Sequence, residues 1–112
     1  MIQAMLKMDF APGKINEAVN ILRSIVERIR ATKGCVSCSV FQEAGNEYSV
    51  VFEEKWQCDA DLQSHLQSEE YKSVLMVIEM ANKNPEIRFE KISEMGGVEI
   101  IREARSQDRK RR

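Results

Sequence analysis

From residue 2 to residue 10 the chain alternates strictly. Ile2, Ala4, Leu6, Met8 and Phe10 share one face, and Gln3, Met5, Lys7 and Asp9 share the other. This period of two predicts a strand with one buried face. Pro12-Gly13 breaks the run, and Pro12 suits the opening of a helix. The period then lengthens. Ile15, Val19, Leu22, Val26 and Ile29 recur at helical spacing, and Ala18, Ile21 and Ile25 widen the stripe. Gly34 supplies the left-handed position at which such a helix ends.

A hairpin follows. Val36, Cys38 and Val40 form one face of its first strand, Ala44-Gly45-Asn46-Glu47 the turn, and Val50, Phe52, Glu54 and Trp56 one face of its second. Asp59 is the expected N-cap of the next helix. Leu62, His65 and Leu66 line its first turns. Tyr71, Val74, Leu75 and Ile78 continue beyond Ser68, where the pattern leaves room for a bend or a second start. Asn82 to Pro85 stops the helix. Ile87, Phe89 and Lys91 alternate with Arg88, Glu90 and Ile92 as a fourth strand, closed by Gly96-Gly97. Val98 to Arg105 fits a short strand or a helix equally. The order strand, helix, strand, strand, helix, strand predicts an α+β fold of the ferredoxin-like, split βαβ kind, with both helices on one face of an antiparallel sheet.

The other face is too apolar to stay wet. It carries Met5, Phe41, Val51 and Ile92 among Gln3, Ser37, Ser39, Ser49, Glu53 and Lys55. A second copy of the chain is the simplest cover, so a homodimer packed sheet to sheet is expected.

With 112 residues, 43% of them hydrophobic, the chain makes one domain, placed at residues 1–105. Residues 106–112 read as a basic, disordered tail. Net charge is -1. Asp108, Arg109, Lys110, Arg111 and Arg112 sum to +3, which leaves -4 on the remainder. An acidic body argues against a nucleic-acid groove. No apolar run approaches the roughly 20 residues of a membrane helix. The first residues lack the marks of a signal peptide, so a cytoplasmic location is the default.

Candidate chemistry centres on two residues that each occur once, Trp56 and His65. Periodicity turns both toward the same apolar interior. An imidazole suits a general base, since its unperturbed pKa of about 6.5 lies near working pH. An indole suits a platform for a flat aromatic ligand. Glu54 is the polar member of an apolar face. If buried it becomes a second candidate base, although a carboxylate bonded to a helix or partner group near the sheet end is the preferred reading. Tyr48 and Tyr71 carry phenols able to donate to a substrate oxygen, with Tyr71 expected at a pocket mouth. Cys35-Val-Ser-Cys38 has redox or zinc spacing, but three cysteines make no closed disulfide set. On a regular strand, residues three apart face opposite sides, which opposes convergence with Cys58 and His65 on a metal.

Several segments together resemble the antibiotic biosynthesis monooxygenase domain family, including its quinol monooxygenase-like members. These are Lys33-Gly-Cys-Val-Ser-Cys38, Phe52-Glu-Glu-Lys-Trp56, Leu62-Gln-Ser-His65-Leu66 and Pro85-Glu-Ile-Arg-Phe89, and the likeness spans about Ile2 to Arg105. The resemblance implies a dimeric α+β barrel. It also implies oxidation of a small phenolic or quinol-like substrate, with dioxygen as co-substrate and no metal, flavin or other cofactor. The family's strand-end tryptophan and helix histidine map onto Trp56 and His65. Phe52, Leu6, Met8 and Leu66 would then line a dry pocket, with Glu54 and Tyr71 touching substrate. Haem-degrading relatives use a first-strand asparagine. The inward positions here are Ile2, Ala4, Leu6 and Met8, so haem cleavage is not expected. A ligand-binding or dimerisation module without turnover is the non-enzymatic alternative, because one fold hosts many functions.

Overall fold

The computed structural model describes residues 1–110. Strand β1 (Ile2–Asp9) leads to helix α1 (Ile15–Arg30), then strands β2 (Cys35–Glu43) and β3 (Asn46–Trp56). Helices α2 (Asp59–Leu66) and α3 (Tyr71–Met80), strand β4 (Asn82–Lys91) and helix α4 (Val98–Lys110) complete the chain. The strands form one sheet in the order β2-β3-β1-β4, and every neighbouring pair is antiparallel. This is the ferredoxin-like arrangement, with α1, α2 and α3 on one face.

Alternation in β1 and β3 settles the core. Ile2, Ala4, Leu6 and Met8 are buried, and they pair with Trp56, Glu54, Phe52 and Val50, all buried too. Ala18, Leu22, Ile25, Val26 and Ile29 of α1 close over them. Arg30 ties α1 to the edge strand β2, its Nε donating to the Cys38 carbonyl at 2.9 Å.

Several local expectations are corrected. Pro12 lies in a turn ahead of α1, whose N-cap is Lys14. Cys58, not Asp59, caps α2. The second helical run is two helices: the Ser68 hydroxyl donates to the His65 carbonyl at 2.7 Å and accepts the Tyr71 N–H at 3.3 Å. That local turn competes with helical hydrogen bonding and separates α2 from α3. Strand β4 starts at Asn82, directly after α3. The segment open between strand and helix is helical, and α4 continues past residue 105 to Lys110. Arg111 and Arg112 lie outside the described residues.

The largest departure is in β2. The register steps from Cys35↔Trp56 to Ser37↔Lys55, so Val36 is the extra residue of a β-bulge. Val36 is therefore exposed rather than aligned with Cys38 and Val40. Cys35 and Cys38 both fall on the helix-covered face, opposite Trp56 and Glu54.

Gly34, the residue before β2, has φ +86°, and a Cβ there would run into the Asp61 side chain. Replacing Gly34 with Ala should lower the unfolding free energy by about 1–2 kcal/mol, the cost of left-handed backbone at a residue with a Cβ. Urea denaturation of Gly34→Ala beside the parent measures it. An unchanged midpoint would show that the turn relaxes freely.

Candidate functional site

Strand β3 and the last turn of α2 meet at the end of the sheet. Alternation directs Glu54 and Trp56 toward the helices, and α2 lowers His65 onto them. The Trp56 and His65 rings stack at 4.5 Å between centroids, with 28° between planes. Tyr71, turned back by the Ser68 break, meets the other side of the cluster, its ring edge-on to His65 at 5.2 Å and 81°. Glu54 Oε2 lies 2.6 Å from His65 Nε2, and both side chains are 1% exposed.

This contact is close but off-axis. Neither atom meets hydrogen-bond geometry toward the other, so the contact is a close approach rather than a linear bond. Both Glu54 oxygens, His65 Nε2 and Trp56 Nε1 are buried without a hydrogen-bond partner. Buried polar groups are nearly always matched, so this concentration of unmatched atoms is unusual for a core.

The Glu54 carboxylate is felt by its neighbours. Burial first, and the Glu54 charge second, push the Tyr71 phenol up to about 12. The same two causes lead in pushing the Cys38 thiol up to about 12, and they raise Cys35 as well. Neither thiol is poised as a thiolate, which is the form redox and metal chemistry needs. Among the described residues no three His, Cys, Asp or Glu side chains converge to hold a metal ion.

The structure brings together Trp56, His65, Glu54 and Tyr71. Leu66 is half-buried at their edge. Phe52 and Leu6 face each other one row further along the sheet than the Glu54–Ala4 pair. Met8 pairs with Val50, six residues from Trp56 along β3, or about 20 Å at ~3.4 Å per residue. It is core rather than a neighbour of the rings. Tyr48 is exposed near the hairpin, eight residues from Trp56 and about 27 Å away on the same scale.

The hollow expected between the two unique rings is not there. Stacked rings at 4.5 Å leave no room for a third between them. The nearest opening is a groove of about 370 Å³ between α2 and β4, lined by Ile2, Leu62, Gln63, Leu66, Phe89 and Lys91 among others. Ile2 pairs with Trp56, while Leu62 and Leu66 flank His65 on α2, so these side chains form the wall between groove and rings. Sequence reasoning missed Phe89 and Ile2 as lining residues. Their signal was present, since both occupy helix-side positions of paired strands.

The pattern that defines the antibiotic biosynthesis monooxygenase family matches residues 1–75, from β1 into α3. The chain belongs to the antibiotic biosynthesis monooxygenase family. Solved structures agree on the fold. One described as an antibiotic biosynthesis monooxygenase is 19% identical, covers 84% of this chain and 100% of its own, and superposes with a TM-score of 0.75. A conserved protein from Methanosarcina mazei is 26% identical over 82% of this chain and 92% of its own, with a TM-score of 0.76. A protein from Mycobacterium tuberculosis is 18% identical over 85% and 98%, with a TM-score of 0.75. No curated protein sequence matches the chain. Among the described residues no helix is long and apolar enough to cross a membrane.

Two measurements follow. Native protein treated with a thiol reagent should lose Cys58 first, since Cys58 is exposed while Cys38 is buried with its pKa pushed up. Mass mapping of the modified peptides reads this, and early labelling of Cys38 would contradict its burial against Glu54. Tyr71 gives the second. The folded phenol keeps its proton to about 12, whereas the ordinary value is 10.0. The folded state thus binds more protons in that window, and stability should fall as pH rises from 10 toward 12. Tyr71→Phe should flatten that fall in pH-dependent denaturation curves. Equal slopes in both proteins would show that Tyr71 does not contribute.

Proposed function

We propose that this member of the family is a cofactor-independent monooxygenase that oxidises a small quinol or polyphenol with dioxygen. The observation that carries the reading is the group of unmatched polar atoms on Glu54, His65 and Trp56. Each such atom costs a core about 1–3 kcal/mol, and more if charged. A phenolic hydroxyl matches two of these four atoms: its O–H donates to Glu54 or His65, and its oxygen accepts from Trp56 Nε1.

His65 Nε2 takes the phenolic proton, and Glu54, whose Oε2 lies 2.6 Å from that nitrogen, stabilises the imidazolium that results. Without that proton transfer the Glu54 charge would resist a second anion nearby, as it does at Tyr71. The phenolate passes one electron to dioxygen. The two radicals combine as a peroxide anion at a ring carbon that bears hydrogen, the His65 imidazolium returns its proton to give the hydroperoxide, and loss of water leaves a ring carbonyl. One oxygen atom stays in the product, the other leaves as water, and the substrate supplies all the electrons. Substrate enters from the α2–β4 groove, and α2 moves outward, carrying Leu62 and Leu66, to admit it. Two copies of the chain pair through the open sheet face, where Phe41 is exposed and Met5 and Val51 are half-buried.

A second reading, a binding module without turnover, draws on the ring contact itself. Trp56 and His65 fill the space between them, as a packed core does.

One experiment separates the two. Oxygen uptake is followed with a panel of quinols, alongside the fluorescence of Trp56, the chain's one tryptophan. The monooxygenase predicts uptake that falls at least a hundredfold in His65→Ala and Glu54→Gln, within the usual range for losing a general base. Fluorescence change without uptake supports the binding module. Uptake untouched by either substitution sinks the assigned roles.

A further inference from the structure

Helix α1 presents a second stripe beside the one that closes the core. Val19, Arg23, Val26, Glu27 and Arg30 recur at spacings of three and four, so they share a face of the helix. That face overhangs β2, an edge strand of the sheet. A groove of about 410 Å³ runs between them, bounded on the sheet by Val40 and Gln42 of β2 and Val50 of β3. Small-molecule sites take roughly 300–1,000 Å³. From Val19 to Arg30 the helix advances about 16 Å at ~1.5 Å per residue. The α2–β4 groove beside His65 lies at the opposite edge of the sheet.

The floor of the groove is aliphatic. Val26 and Val50 belong to the core, and Val19 and Val40 pack against it half-buried. The rim is cationic. Arg30 is fixed in place, its Nε donating to the Cys38 carbonyl at 2.9 Å and a terminal nitrogen donating to the Glu27 carboxylate at 2.7 Å. Glu27 is thereby neutralised. Arg28 serves another surface, paired with Glu70 at 3.2 Å. Arg23 makes no ion pair among the described residues, so its guanidinium keeps all its donors for a ligand. An uncommitted cation over an apolar trough is matched by a molecule with a greasy body and a single negative head.

We propose that the α1–β2 groove binds a small aliphatic carboxylate, its chain along the valines and its carboxylate on Arg23. A bare inorganic anion would leave the valine floor unused. An extended peptide added to the edge of β2 would compete with Arg30 for the Cys38 carbonyl, which is already bonded. The carboxylate takes the guanidinium in a two-bond fork, the geometry in which arginine binds such a head best. The site is separate from the Trp56–His65 cluster and does not depend on the oxidation proposed above.

Methyl spectra of the full-length protein, labelled at valine and leucine, test this against three ligands of one chain length: octanoate, 1-octanol and octylammonium. Octanoate should shift the methyls of Val19, Val26, Val40 and Val50 saturably and bind more tightly than the other two. Arg23→Gln should weaken octanoate about fivefold, the upper range for an exposed ion pair. Arg23→Glu should reverse the order, so that octylammonium binds more tightly than octanoate. Arg23 is exposed, and unchanged methyl shifts elsewhere in the spectrum check that both variants keep the fold. Equal affinity for the three ligands, or octanoate binding untouched in both variants, overturns the assignment of an anion. Saturable shifts at Leu62 and Leu66 without the valines place the ligand in the other groove and overturn the site. The absence of any saturable shift overturns it as well.

Discussion

A carboxylate and an imidazole, both sealed from water, touch beneath an indole ring, and the rest of the site is arranged around that contact. Taking a Glu–His pair out of water costs several kcal/mol if it is ionised, and an off-axis contact returns only part of it. The surrounding packing holds the pair in place. Trp56 covers one face of His65, the edge of Tyr71 packs against it, and β1 lies alongside through Ile2 and Ala4. Burial first, and the charge of this carboxylate second, raise the pKa of a phenol and two thiols close to it.

The fold explains how such a contact is made. Strand β3 is an inner strand, paired on both sides, so its alternation is fixed by two registers at once. Glu54 cannot turn outward without moving Phe52 and Trp56 with it. Helix α2 is short, and the Ser68 turn that ends it also decides where Tyr71 points. The polar cluster is therefore a product of a rigid strand and a brief helix.

The bulge at Val36 has a parallel effect at the edge strand. By inserting one residue it moves Cys35 to the side of Cys38 and brings both thiols within reach of the Glu54 field. Strand parity alone would separate them. Burial and that field keep them protonated, so the shared face does not make them reactive. Exposed apolar residues also lie on β4, on α4 and, at Phe41, on the open face of the sheet.

Much of this was legible in the chain. Periods of two and 3.6 gave β1, α1, the hairpin and the inward set of β1, because burial on one face leaves a repeat that composition cannot hide. The singular Trp56 and His65 were directed to one interior by periodicity, and both are buried there in contact. Other features waited for three dimensions. The bulge at Val36, the break at Ser68 and the cap at Cys58 each depend on one local hydrogen bond or one inserted residue, and a repeat averages over such details. That the two rings would touch instead of enclosing a hollow is a matter of ångströms in how α2 settles on β3. Whether Glu54 would meet His65, and whether α4 would find anything in its own protomer to lie on, depended on surfaces distant in sequence. Periodicity assigns a side chain to a face; only the packed structure decides what it meets there.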